Sequence, residues 1–412
     1  MSSSDMQMGF PSLAEDTDFN SGAQQRRVTK SPVAAPRNKA PDQVKLPLTE
    51  MFENYLLSES VLAGYGNLVA IYDLLPRFYG WKKRTDFGDG LCTEFTGSIK
   101  GNLFHVQMTA AAIQKRIRIK DDSHGQPLEE AQEIIPISTR TRTETVLMYP
   151  GMREELVEDA LRKFSVIGNG FVDGSQLRVR FTIRDLMQEL ARNGHTYSCN
   201  EIKEALEILN KAHLAIKYQV DGGVIEESST YLPHLSFAHK RKVVDGNDVC
   251  IAQLHPLIVG GIRTNSFRMY SYDTSMAVSS SLARYLHKYL SFNWLNASPD
   301  HPYTLGLVEI MSATSRGLQP RMNDNTRFME KALQELIDNG ALTSYEKETI
   351  QAPKSKRIVD ARYKVWPTNE FVSVIIKGHH QAKAGDAKKQ RAVLTKGSSL
   401  SRSSGPRAAI TS

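Results

Sequence analysis

The chain has 412 residues, 40% hydrophobic and 24% charged, with 52 Lys+Arg against 45 Asp+Glu for a formal net charge of +7. Its length leaves room for two or three domains with their own cores, and its composition excludes a wholly disordered chain. No apolar run of about 18 residues occurs, which excludes a transmembrane helix, and the first residues lack the basic and apolar regions of a secretory signal.

Three dispersed cysteines (Cys92, Cys199, Cys250) make neither a disulfide framework nor a zinc site. They read as free thiols in a reducing cytosol, so the expected localisation is cytoplasmic. A basic balance points to nucleic acid or an anionic surface as partner, and its position along the chain decides how to read it. Residues 1–45, rich in Ser, Pro, Gln and Arg, read as a disordered arm in which six basic residues nearly cancel five acids. Residues 46–376 hold 38 basic and 39 acidic residues, whereas 377–412 hold eight basic residues and one acid. The body is therefore neutral, and a disordered basic tail carries the whole net charge.

Residues 46–149 read as a small mixed α/β region. Leu56, Leu57 and Val61, then Leu68, Ile71, Leu74 and Leu75, suggest short helical stretches that end at Pro76. Alternation through Thr93, Phe95, Leu103, His105 and Met108 predicts strands. The run Lys115-Arg-Ile-Arg-Ile-Lys120 would place Arg116, Arg118 and Lys120 on one face of a strand. That face is either a phosphate-contacting edge or an edge strand protected by charge, and both readings stay open. Residues 121–149 read as a loop.

From Pro150, periodicities define a unit over 150–262. Leu156, Val157, Ala160, Leu161 and Phe164 predict a first helix; Gln176 to Phe181 alternates as a strand; Ile183, Leu186, Met187 and Leu190 predict a second helix. Ser198 and Glu201 form a capping box for a third helix lined by Ile202, Ala205, Leu206 and Leu209. A strand at 214–218 and Asp221-Gly222-Gly223 then predict a hairpin. The same order returns over 263–376: a helix from Leu282 to Leu290, a strand at 303–305, and a helix at Leu307 to Met311. A turn at 317–321, a helix lined by Phe328, Ala332, Leu333, Leu336 and Ile337, and two strands follow. The expected class is α+β: tandem winged helices preceded by the small mixed region, with disordered termini.

No Walker loop, H-E-x-x-H, paired C-x-x-C or G-x-S-x-G occurs, and no cofactor or metal is expected. The predicted role is binding, not catalysis. In a helix-turn-helix, the start of the third helix of each unit faces base edges. Those positions are Arg321, Asn323, Asn325, Thr326, Arg327 and Lys331 in the second unit, and Ser198, Asn200 and Lys203 in the first. Arg suits guanine and Asn suits adenine, though a capped, solvated helix start would use the same residues. For phosphate contact the candidates are Lys354, Lys356, Arg357 and Arg362 near the second wing, Lys240, Arg241 and Lys242 in the first unit, and Arg116 and Arg118.

Two winged helices in tandem, the first entered by Tyr149-Pro-Gly-Met-Arg-Glu-Glu-Leu-Val-Glu-Asp-Ala-Leu-Arg162, resemble the Rep-type replication initiators of bacterial plasmids. The resemblance covers roughly residues 150–376. It implies binding to double-stranded DNA with repeated origin sites (iterons), strand opening, and recruitment of a host initiator and replicative helicase. It also implies autorepression, a role in copy control and a homodimer through the first winged helix. A winged-helix transcriptional regulator is the alternative, and an enzyme of nucleic-acid metabolism would need clustered acidic metal ligands.

Overall fold

A computed structural model describes residues 48–57, 64–79, 91–118, 141–220, 223–238, 247–353, 355 and 357–402. In chain order, the N-terminal part supplies α1 (Leu48–Tyr55), β1 (Tyr65–Val69), a single turn α2 (Ala70–Asp73), β2 (Cys92–Ile99), β3 (Asn102–Thr109), β4 (Ala111–Arg118) and β5 (Thr141–Met148). The first winged helix follows as α3 (Met152–Phe164), β6 (Gly170–Asp173), β7 (Gln176–Thr182), α4 (Ile183–Arg192), α5 (Cys199–Lys211), β8 (His213–Val220) and β9 (Gly223–Thr230). Then come β10 (Leu235–Ala238), β11 (Val249–Gln253), α6 (Pro256–Arg263), β12 (Phe267–Ser271) and α7 (Tyr272–Ala277). The second winged helix comprises α8 (Ser281–Asn293), β13 (Tyr303–Gly306), α9 (Leu307–Ser312), α10 (Met322–Asp338), β14 (Leu342–Gln351) and β15 (Ile358–Pro367). Helix α11 (Asn369–Arg402) completes the described chain.

The fold is mixed α+β with several small antiparallel sheets. The two units share the order helix, strand, helix, helix, strand, strand, except that the first has two strands, β6 and β7, before α4. Strand β13 joins the β14–β15 wing in one sheet, whereas β7 pairs with β6 and β11 and not with β8–β9. Local chemistry explains the helix starts. The Thr182 hydroxyl accepts the Asp185 N–H while Asp185 accepts the Thr182 N–H, which opens α4. Ser198 and Glu201 do the same for α5. At α3, Glu154 accepts the Gly151 N–H at 2.8 Å. Leu156, Val157, Ala160, Leu161 and Phe164 on α3 are buried, and each large side chain contributes about 1.5–3 kcal/mol of burial.

The N-terminal part does not stand apart. Strands β2 and β3 extend the β8–β9 hairpin into a sheet of order β2-β3-β8-β9, and β1 pairs antiparallel with β12, Leu68 opposite Arg268. Leu68 is thus in a strand and not in the helix that its spacing suggests. The stretch before the first unit, expected as a loop to residue 149, contains β5, which pairs with β4 from Ala111↔Met148 to Arg118↔Thr141.

The basic segment from residue 377, expected as a disordered tail, is helical as far as Arg402 within α11. Gly385 lets this helix approach its neighbour: a Cβ there would stand only 2.3 Å from the Asn265 carboxamide. Asn265 Nδ2 donates to Ala382 O and to Asp386 Oδ1, both at 2.9 Å, and Gln381 Nε2 donates to Asn54 O at 2.9 Å.

Helices α3 and α8 hold the two winged helices together through charges inside the protein. Lys288 Nζ donates to Asp159 Oδ1 and Oδ2 at 3.0 and 2.8 Å, and Arg284 reaches Glu155 at 3.1 Å. The residues 155/159 and 284/288 are four apart on each helix, so the pairs stack one turn above another. Beneath them Arg162 pairs with Asp73 and Arg77 with Glu158, at 2.8 and 2.7 Å. Burial alone would raise the Asp73 carboxyl, but Arg162, Lys288 and Arg77 outweigh it and hold it at about 2.

Candidate nucleic-acid interface

Helix α10 presents one continuous polar stripe. Arg321, at its N-cap, and Asn323, Arg327 and Lys331 are all exposed, the last three at successive four-residue steps. The opposite stripe, Asn325, Met329, Ala332, Leu333 and Leu336, is buried. The Arg327 side chain is 74% exposed and 3.4 Å from Asp324, a solvent-screened contact that holds it only weakly.

Asn325 and Thr326 depart from the expected base-reading positions because both are buried. The Asn325 carboxamide accepts the Gln319 N–H at 2.8 Å and donates to the Gln319 carbonyl at 2.8 Å. It closes the turn that connects α9 to α10, in which Gly317 adopts φ +67°. In the same turn the Arg316 guanidinium lies 3.0 Å from the centroid of the Phe328 ring. Phe328, expected in the core, is half-buried and carries this cation on its outer side.

The second wing is β14–β15. Arg362 and Lys364 are exposed on β15 but sit directly across from Glu348 and Glu346 on β14. Cross-strand carboxylates therefore offset both cations. Lys347 ties the wing to α10 by a 2.9 Å pair with Glu330. Arg357 is exposed near the tip; Lys354 and Lys356 lie outside the described residues.

In the first unit the expected recognition helix α5 has a different character. Ser198 is its cap, Asn200 is exposed and Lys203 is half-buried. Arg153 and Lys115 both reach Glu204, at 2.7 and 3.1 Å. Burial alone would raise the Glu204 carboxyl, but hydrogen bonds from these two cations hold it below its usual range. Lys115 belongs to β4, so the β4–β5 ribbon leans along the flank of α5, with Ile113 buried at its base. Lys240, Arg241 and Lys242 lie outside the described residues, as do the side chains of Arg116 and Arg118.

No family model matches the chain, and no curated protein sequence matches it. Solved structures of RctB and of the Pi initiator protein resemble it. RctB domains 2-3 (residues 155–483 of RctB) superpose with a TM-score of 0.41 at 12% identity, covering 74% of this chain and 99% of that one. A second structure of RctB domains 2 and 3 gives 0.40 at 11% identity, covering 72% and 95%. The Pi initiator protein in complex with iteron DNA gives 0.33 at 11% identity, covering 47% and 82%.

Among the described residues no group of three or more His, Cys, Asp or Glu side chains is placed to hold a metal ion. Of the expected site residues, Asn323, Arg327 and Lys331 come together on one exposed face of α10, and Arg321 is exposed at the N-cap of the same helix. Sequence reasoning missed Arg316 and Arg153. Arg316 lies in the expected turn, where a cation eleven and fifteen residues before Arg327 and Lys331 has no periodic link to the helix.

Proposed function

We propose that the chain is a sequence-specific double-stranded DNA-binding protein that initiates plasmid replication from repeated origin sites. It binds those sites, opens the duplex and recruits a host initiator and replicative helicase. The observation that carries the reading is the exposed stripe Asn323–Arg327–Lys331 at the start of the third helix of a winged helix. Two cations and an amide in this position match the hydrogen-bonding edges of guanine and adenine in the major groove. Arg357 on the second wing adds phosphate contact, joined in this reading by Lys354 and Lys356. The first winged helix, whose third helix carries Glu201, Glu204 and Glu207, serves the homodimer.

The test uses duplexes that the intact chain selects from a random pool. Arg327→Ala should weaken binding by about 1–3 kcal/mol and relax base preference at one position. An equal loss on random DNA would remove the base-reading role. Replication is tested with a plasmid whose sole origin is the DNA flanking the gene. Selective binding beside repeated sites without plasmid maintenance would favour the regulator.

A further inference from the structure

A cavity of about 370 Å³ lies where the two winged helices and the N-terminal part meet. Phe78 from the N-terminal part, Met152 of α3, Leu282 and Tyr285 of α8 and Phe328 of α10 give it a largely apolar lining. Its volume is that of a small-molecule site.

Behind the cavity the charges balance: Asp73, Glu155, Glu158 and Asp159 are matched by Arg77, Arg162, Arg284 and Lys288. On the solvent side they do not. Arg316 and Lys331 add two cations there, and the lining holds no acid beyond Asp73 and Glu155. Glu335, one turn beyond Lys331, is engaged at the start of α8, where it accepts the Ser279 hydroxyl at 2.9 Å and the Ser280 N–H at 3.0 Å. These bonds hold the first turn of α8 against α10.

That turn offers free donors. The Ser280 hydroxyl accepts the Ala283 N–H at 3.1 Å, which leaves the N–H groups of Ser281 and Leu282 without an acceptor among the described residues. Both residues line the cavity. Two further polar atoms of lining residues lack a partner: Arg77 Nε, on a side chain 2% exposed, and the buried Tyr285 hydroxyl. Buried polar atoms are nearly always hydrogen-bonded, and a bound ligand would supply the missing partners.

These groups call for one chemistry. Helix N-terminal amides hold a phosphate, and a guanidinium with an ammonium matches its two negative charges. The apolar lining suits a body attached to that phosphate, which an inorganic ion lacks.

We infer that this cavity binds a small phosphate monoester with an apolar body, its phosphate held by the first turn of α8, Arg316 and Lys331. Lys331 also stands on the exposed stripe of α10, so the ligand draws one cation of that stripe away from DNA and places negative charge beside it. The cavity is thus an effector site. Its effect on DNA rests on the reading of α10 as the DNA-contacting helix, whereas ligand binding itself does not.

The experiment titrates the full chain with naphthyl phosphate in a calorimeter, with naphthol and inorganic phosphate as the separate halves of the probe. The ester should bind at least about tenfold more tightly than either half. Ser281→Pro removes one N–H at a position where proline suits a helix, and Ser280 already has the extended backbone (φ −91°, ψ 139°) that a following proline needs. This variant and Lys331→Gln should each weaken the probe about tenfold while melting like wild type; if the proline variant melts early, Lys331→Gln decides alone. Saturating probe should weaken binding to a duplex selected from a random pool severalfold. No saturable binding, equal binding of inorganic phosphate, or wild-type probe affinity in the variants would overturn the inference. Duplex affinity unmoved by saturating probe would overturn the effector role. If the chain enriches no duplex while the probe still binds, the cavity site stands and the reading as a DNA-binding protein fails.

Discussion

The pair Lys288–Asp159 allows a quantitative test of how the two winged helices are held. Both residues are 1% exposed, and the ammonium bonds both carboxylate oxygens at 3.0 and 2.8 Å. Lys288→Met keeps the length and apolar volume of the side chain but leaves Asp159 in the interior without its cation. Uncompensated charge of this kind costs about 3–5 kcal/mol. Glu155, 3.6 Å from the same ammonium, retains Arg284 at 3.1 Å, so the loss centres on Asp159. Lys288→Met with Asp159→Leu removes both charges and should recover most of it, ending within about 1–2 kcal/mol of wild type. Urea unfolding followed by fluorescence of the buried Trp294, just beyond α8, and by circular dichroism reads both variants. The single variant should lower the midpoint at unchanged slope. A single variant that loses less than about 1 kcal/mol, or a double variant as unstable as the sum of its parts, would refute the assignment of a desolvated, mutually dependent pair.

Two further outcomes follow from buried polar groups. Burial pushes His255 and His287 down to about 3, each with a ring nitrogen that lacks a hydrogen-bond partner. The unfolded chain binds these protons below about pH 6.5 and the folded chain does not, so stability falls as pH drops from there toward 3. The two histidines together should cost about 3 kcal/mol between pH 6.5 and 5, read as a falling melting temperature; a flat profile over that range would contradict their burial as neutral rings. Asn325→Ala should destabilise the fold by about 2–3 kcal/mol by freeing both backbone groups of Gln319, and hydrogen exchange in the turn should rise. Unaltered stability with changed preference at a single base pair would make Asn325 a base reader after all.

The elements most legible in the sequence are those whose stabilising contacts are local. Ser198 with Glu201 and the apolar spacing after them define α5 without any distant contact, and the same holds for α3 and α4. Leu68 shows the opposite case. Its spacing with Ile71 and Leu75 is helical, but its backbone pairs with Arg268, about 200 residues away, and no local signal announces that strand. Helix α11 was hidden by its glycines, which lower helix propensity; Gly385 serves close approach to Asn265. At the interface, the exposure of Arg327 and Lys331 follows from period alone. Asn325 could have been excluded the same way, because it falls on the stripe of Met329, Ala332 and Leu336. The stacking of Arg316 on Phe328 needed the turn's actual path.

The hydrogen bond from Gln381 to Asn54 spans 327 positions of chain. During synthesis, Met51, Tyr55, Leu68 and Val69, all fully or nearly fully buried in the finished protein, leave the ribosome long before β12 and α11 exist to cover them. At about 5–20 residues per second, roughly 10–40 s separate β1 from its partner strand. Through that interval the early segment exposes an apolar helix and an unpaired strand edge, the features that recruit chaperones or other nascent chains. Among the described residues, the first helix and strand are thus among the last to reach their native contacts, and translation speed becomes a determinant of yield.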